Sequence, residues 1–538
     1  MSDYGANTVY EAFVATAARR PDSGMLAAPP AAKRDYHPDG VELTYGEIAA
    51  EVERYRALYA AAGYGPGHRV ALLLEQRPEF FHHYLALNGL GASIVPVNPD
   101  YRHDELAFLM EHSEADLAVT LDKYRDRLDN VAAERVKPLP VVSFEDPPET
   151  FPAPTAVAGS HEPGIGDECT LLYTSGTTGR PKGCILTNEY FLNGGRWYLG
   201  MEGLAAVAEE GDRLYNPLPF FHMNCLALSA TAMIQSGGCL ILPDRFHPRS
   251  WWQDLVATRA TIAHYLGVVV PMLLNQPECA EEKAHQVRFL IGAGCEPTLH
   301  EVFETRFGAP LIEVWGMTET GRIYYNAQEP RQIDTRAFGR PFGGFEARVV
   351  DDEDSDVPLG DEGELVVRFA GPDPRRAFFA GYLKNAEETE KVWRGGWFHT
   401  GDTVRQDDTG MLYFVDRKKN IIRRSGENIA AAEIEAVLQS HDAVGQVAVI
   451  PTPDRVREEE VMACIVPMAG AEAGETLAAD LFDWCYERLT YFKAPGWVVF
   501  RDSLPTTGTQ KIQKAQIFAA DEDPQQVGFD FRERKKRR

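Results

Sequence analysis

The sequence is short of positive charge: 54 Lys and Arg stand against 80 Asp and Glu, a formal net charge of -26 over 538 residues. That balance works against a nucleic-acid or anionic-lipid partner. No stretch approaches the roughly 18 apolar residues of a membrane span, and the opening MSDYGANTVYEAF has neither the basic nor the apolar segment of a secretory leader. A cytoplasmic protein is expected. The eight cysteines form no CxxC pair and no metal-ligand spacing. They, including Cys169, Cys184, Cys225, Cys239 and Cys295, read as reduced core thiols. No short-period repeat is present.

What is present describes a large folded chain. Hydrophobic residues make up 44% and aromatics 10% of it, well above the level at which disorder is expected. Its length exceeds what one hydrophobic core usually supports, so two or more domains are expected. From Leu43 helical patterns alternate with short apolar runs, LTYGEIAAEVERYRALYAAAGY, RVALLLEQ, EFFHHYLALNGLGA and SIVPVN, which implies a parallel, helix-covered sheet. The pattern returns around ELAFLMEHSEADLAVTL and between Leu240 and Leu290, so the fold class is α/β, with a large layered body of α/β subdomains. Between Pro138 and Glu168 seven prolines exclude a helix or a central strand and mark a surface connector. YFVDRKKN carries a strand pattern into a charged turn, after which about 120 residues suffice for a small α+β domain. The expected division is residues 1–417 and 418–538.

The stretch LLYTSGTTGRPKGCILT places Thr174, Ser175, Gly176, Thr177, Thr178 and Gly179 between an apolar strand and Lys182. Small residues let backbone N–H groups and hydroxyls approach phosphate oxygens, and the lysine adds compensating charge. A flexible hairpin loop is the weaker competitor. A Walker A loop needs Ser or Thr after the Gly-Lys pair and then a helix, whereas Gly183 and β-prone CILT follow Lys182.

This stretch resembles the signature of the adenylate-forming superfamily, and ordered motifs extend the resemblance from about Leu43 to Lys514. Within it the chain looks like the acyl-CoA synthetase branch, with some likeness to carnitine- and aryl-acid-CoA ligases. In VWGMTET, Trp315 offers a flat face to a purine and Thr318 a hydroxyl, with Gly316 and Met317 between them; Glu319 offers the carboxylate oxygen that Mg²⁺ prefers. The family often has Tyr where Trp315 stands. A buried aromatic beside an exposed glutamate is the plain alternative. IGAGCEP, with Gly294, Cys295 and Glu296, resembles the adenine-side loop. Asp402 in GGWFHTGD matches a ribose-binding aspartate, and Arg417 a second ribose contact. Lys419 matches the hinge residue, Gly426 and Glu427 a loop lining the route of the pantetheine arm. Lys511 matches the lysine that bridges carboxylate and nucleotide phosphate, although Gln510 departs from the glycine often seen before it. His222 resembles a gate between nucleotide and acyl pocket, while a structural histidine explains it equally well. His264, Tyr265, Gly267 and Arg322 are placed near the acyl group, an outward salt bridge being the favoured reading of Arg322.

The resemblance implies ATP, Mg²⁺ and coenzyme A as ligands, a small-molecule carboxylic acid as substrate, and a C-terminal domain that moves between two half-reactions. A homodimer is left open. Loading of a carrier protein is the rival enzyme reading, weakened by the lack of a carrier domain after Lys514; a nucleotide-binding protein without chemistry is the rival of another class.

Overall fold

A computed structural model describes residues 5–174, 181–208, 211–267, 269–417, 421–505, 514, 517–519 and 522–537. The fold is mixed α/β. The chain divides into two compact units, the larger made of residues 1–99, 110–173 and 183–416 and the smaller of 100–109, 174–182 and 417–538. A large N-terminal domain and a smaller C-terminal one are therefore present.

Two sheets of the larger unit carry the parallel pairing that the alternating pattern calls for. In one, Arg69–Leu73 pairs in parallel with both Ser93–Pro96 and Leu117–Thr120. In the other, Ile262–Leu266, Phe289–Ala293 and Leu311–Gly316 run side by side in parallel, and an antiparallel turn brings back Ile323–Tyr325. Helices cover them. The helix Tyr45–Ala62 starts on a capping box in which Glu47 N–H donates to the Thr44 hydroxyl, and Thr44 N–H donates to the Glu47 carboxylate. Its end is Gly63, in the left-handed region at φ 91°.

A third sheet, in which Phe345–Val350, Glu362–Phe369 and Trp397–Gln406 pair antiparallel, is an addition that the alternating pattern does not announce. The proline-rich connector holds one short edge strand, Val141–Ser143. Cys279 is half-buried, whereas the other seven cysteines are buried thiols.

In the smaller unit the strands Val444–Asp454, Glu458–Pro467 and Trp497–Phe500 pack against the helices Ala431–Gln439 and Glu475–Arg488. The basic run after Asp530, whose charge favours a solvated tail, is folded onto this sheet. Phe531 lies in its core, Arg532 bridges Asp454 and Asp530, and Lys535 is fully buried against Glu460. The apolar Phe531 and the buried acid Glu460 hold it there, and charge count alone does not reveal either.

Asp254, on the helix Trp251–Ala257, is 5% exposed and accepts from the Ser250 hydroxyl at 3.1 Å and the Tyr215 hydroxyl at 3.3 Å. Burial pushes its pKa from 3.8 up to about 6. Above the unfolded value the folded chain binds more protons than the unfolded one, so the native state loses stability as pH rises through this window. The loss is on the order of 3 kcal/mol. Asp254→Asn should be more stable than the parent at pH 7 and lose that advantage at pH 4, which denaturant titrations at the two pH values will show.

Candidate active site

The strand Leu311–Gly316 brings Trp315 to the edge of its sheet, opposite Tyr324 on the returning strand. The indole is 6% exposed, and its ring lies 5.7 Å from Tyr324 at an interplanar angle of 25°. Its Nε1–H donates to Asp402 Oδ2 at 2.8 Å, and Asp402 is itself buried on the strand Trp397–Gln406. Two residues expected to meet one nucleoside, 87 apart in sequence, are thus joined directly. A carboxylate oriented by an indole N–H keeps acceptor capacity for sugar hydroxyls.

Beyond the strand, Gly316 is exposed and Met317 and Thr318 are half-buried. The following residue is not the exposed glutamate of the plain reading: Glu319 is 6% exposed. Two groups hold it and a third holds its neighbour. The Tyr190 hydroxyl donates to the Thr318 carbonyl at 2.7 Å, Phe379 N–H to the Glu319 carbonyl at 2.9 Å, and the Tyr382 hydroxyl to Glu319 Oε1 at 2.8 Å. Burial and the neighbouring carboxylate raise the Tyr382 pKa well above its ordinary value, so the phenol stays a donor. Tyr382 has no counterpart in the sequence reading. Its position in a two-residue strand paired with Cys184 becomes visible only in the fold.

The loop after Phe289–Ala293 is anchored by another residue that sequence did not single out. Gly294 N–H donates to Glu313 Oε2 at 3.0 Å and Cys295 N–H to Glu313 Oε1 at 3.1 Å, with Gly294 at φ 87° where a side chain is strained. The Tyr265 hydroxyl donates to the same carboxylate. Burial raises the Glu313 pKa. A carboxylate inside the apolar strand LIEVWG was the only sequence signal. Glu296 follows as the cap of the helix Pro297–Phe307.

His222 is half-buried, and loss of hydration lowers its pKa to about 4, leaving a neutral imidazole near pH 7. His264 is buried, with Nε2 facing the Tyr198 hydroxyl at 2.8 Å and the Ser229 hydroxyl at 3.3 Å. Arg322 departs from expectation. It does not face outward but is 1% exposed, donating to the Arg376 carbonyl at 2.8 Å and packing over the ring of Phe369 at 4.9 Å. Aromatic faces take the guanidinium out of water, a contact no local pattern encodes.

The smaller unit carries the rest. Thr174 closes the strand Glu168–Thr174 and Lys182 opens Lys182–Thr187, both half-buried. Ser175, Gly176, Thr177, Thr178 and Gly179 between them, together with Lys419 and Lys511, lie outside the described residues. Arg417 ends the strand Leu412–Arg417. Ser425 and Gly426, at φ 52° and 84°, form the two-residue turn of the hairpin Ile421–Arg424 and Glu427–Ala430. Burial pushes Glu427 up to about 7.

Among the described residues no group of three His, Cys, Asp or Glu is arranged to hold a metal, and no helix is long and apolar enough to cross a membrane. A single hard carboxylate such as Glu319 is nonetheless what a magnesium nucleotide needs, since Mg²⁺ is commonly bound through one or two carboxylates and the substrate's own phosphates.

Known proteins resemble the chain over most of its length. The family profile described as AMP-binding enzyme matches residues 13–383, and that described as AMP-binding enzyme C-terminal domain matches 433–511. The crotonobetaine/carnitine–CoA ligase of Proteus mirabilis is 30% identical over 499 residues, 88% of this chain and 93% of the relative. Its namesake from Citrobacter koseri is 29% identical, with 88% and 93% covered. Among solved structures, ATP-bound MatB from Rhodopseudomonas palustris is 26% identical with a TM-score of 0.64, covering 95% of this chain and 98% of that one. The o-succinylbenzoate CoA synthetase of Bacillus subtilis has a TM-score of 0.79 at 23% identity, covering 96% and 98%, a likeness of fold.

Proposed function

The chain belongs to the AMP-binding enzyme family, and on that premise we propose that it is an ATP-dependent acid–CoA ligase. It joins a small-molecule carboxylic acid to ATP as an acyl-adenylate, releasing pyrophosphate, and passes the acyl group to coenzyme A. Support comes above all from the pairing of Trp315 with Asp402, on the same unit as a Glu319 held at its carbonyl by Phe379 and at its carboxylate by Tyr382.

In the first step a carboxylate oxygen attacks the α-phosphate while the bond to pyrophosphate breaks, so two anions approach each other. Positioned donors make that approach tolerable. Asp402 takes the ribose hydroxyls and Trp315 flanks the base, which fixes the nucleoside. The segment Thr174 to Gly179 and Lys182 take the departing phosphates, and Lys511 the attacking carboxylate. Magnesium, when bound with the nucleotide, would be held by Glu319 and would offset phosphate charge. Neutral His222 borders the acyl side without adding charge there. The second step needs Lys511 withdrawn; the smaller unit turns about Lys419, and the hairpin at Gly426 and Glu427 lines the thiol's route. A cytoplasmic setting supplies both ATP and coenzyme A.

Purified protein with magnesium and ATP should release pyrophosphate only when a pool of carboxylic acids is added, and should give acyl-CoA masses when coenzyme A follows. Release without acid, or an adenylate that is never passed to coenzyme A, overturns the reading. Tyr382 is a positioning residue in this scheme. Tyr382→Phe should lower the rate of pyrophosphate release about tenfold to a hundredfold, and should raise the magnesium concentration needed for half-maximal rate. A slower enzyme with an unchanged magnesium requirement would assign the tyrosine to packing alone.

A further inference from the structure

A cavity of about 660 Å³ opens in the larger unit between the C-terminal half of the helix Asn188–Leu199 and the loops at 325–328 and 340–343. Neither Glu319 nor Asp402 lines it. The helix contributes Asn193, Arg196 and Trp197, and its capping residue Gly200 follows, a spacing that puts all four on one face.

Three arginines, Arg196, Arg340 and Arg376, line this one hollow, with Glu202 the single acid among its lining residues. In a chain of net charge -26 such a local excess of cations focuses a positive potential. Arg340 is held in place by Thr409, with Nε donating to its carbonyl and Nη2 to its hydroxyl, both at 3.1 Å. Arg376 Nε lies 3.4 Å from Glu189 Oε1.

The same cavity is lined by aromatic rings in contact with one another. The rings of Trp197 and Phe342 are 4.4 Å apart and those of Phe342 and Tyr325 4.8 Å apart. Gly343, at φ 60°, lets the loop close on the indole: a Cβ there would lie 2.8 Å from the Trp197 ring.

Two polar atoms of lining residues are unsatisfied. Asn326 is 4% exposed and donates through Nδ2 to the carbonyls of Arg331 and Ala337, while its buried Oδ1 has no hydrogen-bond partner. Asn193 Nδ2 is likewise buried without one. Both atoms lie beneath the cavity wall, out of a ligand's reach, and bear on the packing of the wall and not on what it binds.

Guanidinium forks bind carboxylate and phosphate oxygens pairwise, flat rings favour a flat apolar body, and the volume suits a small molecule. We propose that this cavity is an accessory binding site for a small organic anion with an aromatic body, of the aryl carboxylate or aryl phosphate class. It is separate from the site built on Glu319 and Asp402, and it stands whether or not that site makes an acyl-adenylate.

Crystals of the full chain soaked in 4-bromobenzoate or in 4-bromophenyl phosphate should show anomalous bromine density beside Trp197; which probe binds tells carboxylate from phosphate. In calorimetric titration Arg196→Ala combined with Arg340→Ala should weaken that probe at least tenfold, with ATP affinity unchanged. Glu202→Gln should tighten it severalfold, a gain that a misfolded variant cannot produce. No bromine in the cavity with either probe, bromine in the soak without binding in solution, or affinities unmoved by all of these substitutions would each overturn the proposal.

Discussion

Replacing Lys511 by alanine should cut pyrophosphate release from ATP by about 10²- to 10³-fold and leave thioester formation from a supplied acyl-adenylate within about twofold of the parent enzyme. The asymmetry follows from charge. When the carboxylate meets the α-phosphate, both partners are anionic, and an ammonium at the point of contact is worth most while the new bond forms. Once the mixed anhydride exists, the attacking group is a thiol and the leaving group is AMP, so the same ammonium has no equivalent task. Lys511 falls within the stretch 433–511 matched by the C-terminal domain profile, whereas Glu319 and Asp402 belong to the larger unit. That distribution suits a cation needed in only one half-reaction. Both halves should be assayed on one preparation, with synthetic acyl-adenylate for the second. Equal loss in the two would show that the lysine serves the fold or the binding of both intermediates.

The largest expected effect on stability lies far from any substrate. Glu460 is 0% exposed and accepts from Arg424 Nε at 2.7 Å, while its other oxygen accepts from Lys535 Nζ and from Val461 N–H. The Arg424 and Lys535 side chains are 2% and 0% exposed. Glu460→Ala leaves Arg424 buried in the smaller unit without its carboxylate, and Lys535, whose pKa burial already lowers to about 7, without its acceptor, which should cost about 3–5 kcal/mol. Glu460→Gln retains an acceptor and should cost less. Denaturant unfolding of the full chain measures both, and an alanine variant within about 1 kcal/mol of the parent would mean that the pocket can hydrate or rearrange.

The parallel sheets were legible because their strands are apolar runs that need no partner to identify them. Arg69–Leu73 lies within RVALLLEQ and Ser93–Pro96 within SIVPVN. The helix Tyr45–Ala62 was legible for a different reason, since Thr44, Glu47 and Gly63 mark both its ends locally. The antiparallel sheet was not. Trp397–Gln406 is a strand that reads WFHTGDTVRQ, mostly polar, and its place depends on pairing with Glu362–Phe369. In the candidate site Trp315, Glu319 and Asp402 stood out by residue type and order, but the bonds that fix them did not. Tyr382 is 63 residues from Glu319, and Glu313 is 48 from Tyr265. Arg322 was misread for the same reason: charge alone argues for solvent, and the rings of Trp197, Phe345, Phe369 and Phe378 that surround it come from elsewhere in the chain.

The short strand Gly381–Tyr382 carries one further implication. It is bonded to the strand that leaves the Thr-rich segment, through Ala380 N–H to the Ile185 carbonyl and Leu383 N–H to the Gly183 carbonyl, each at 2.8 Å. Tyr382 in turn grips Glu319. The peptide chain therefore gears the strand that leaves the Thr-rich segment to Glu319, so that, under the proposed function, random mutagenesis selecting for altered ATP response should return changes at Ala380 to Leu383, positions that no inventory of ligand contacts would nominate.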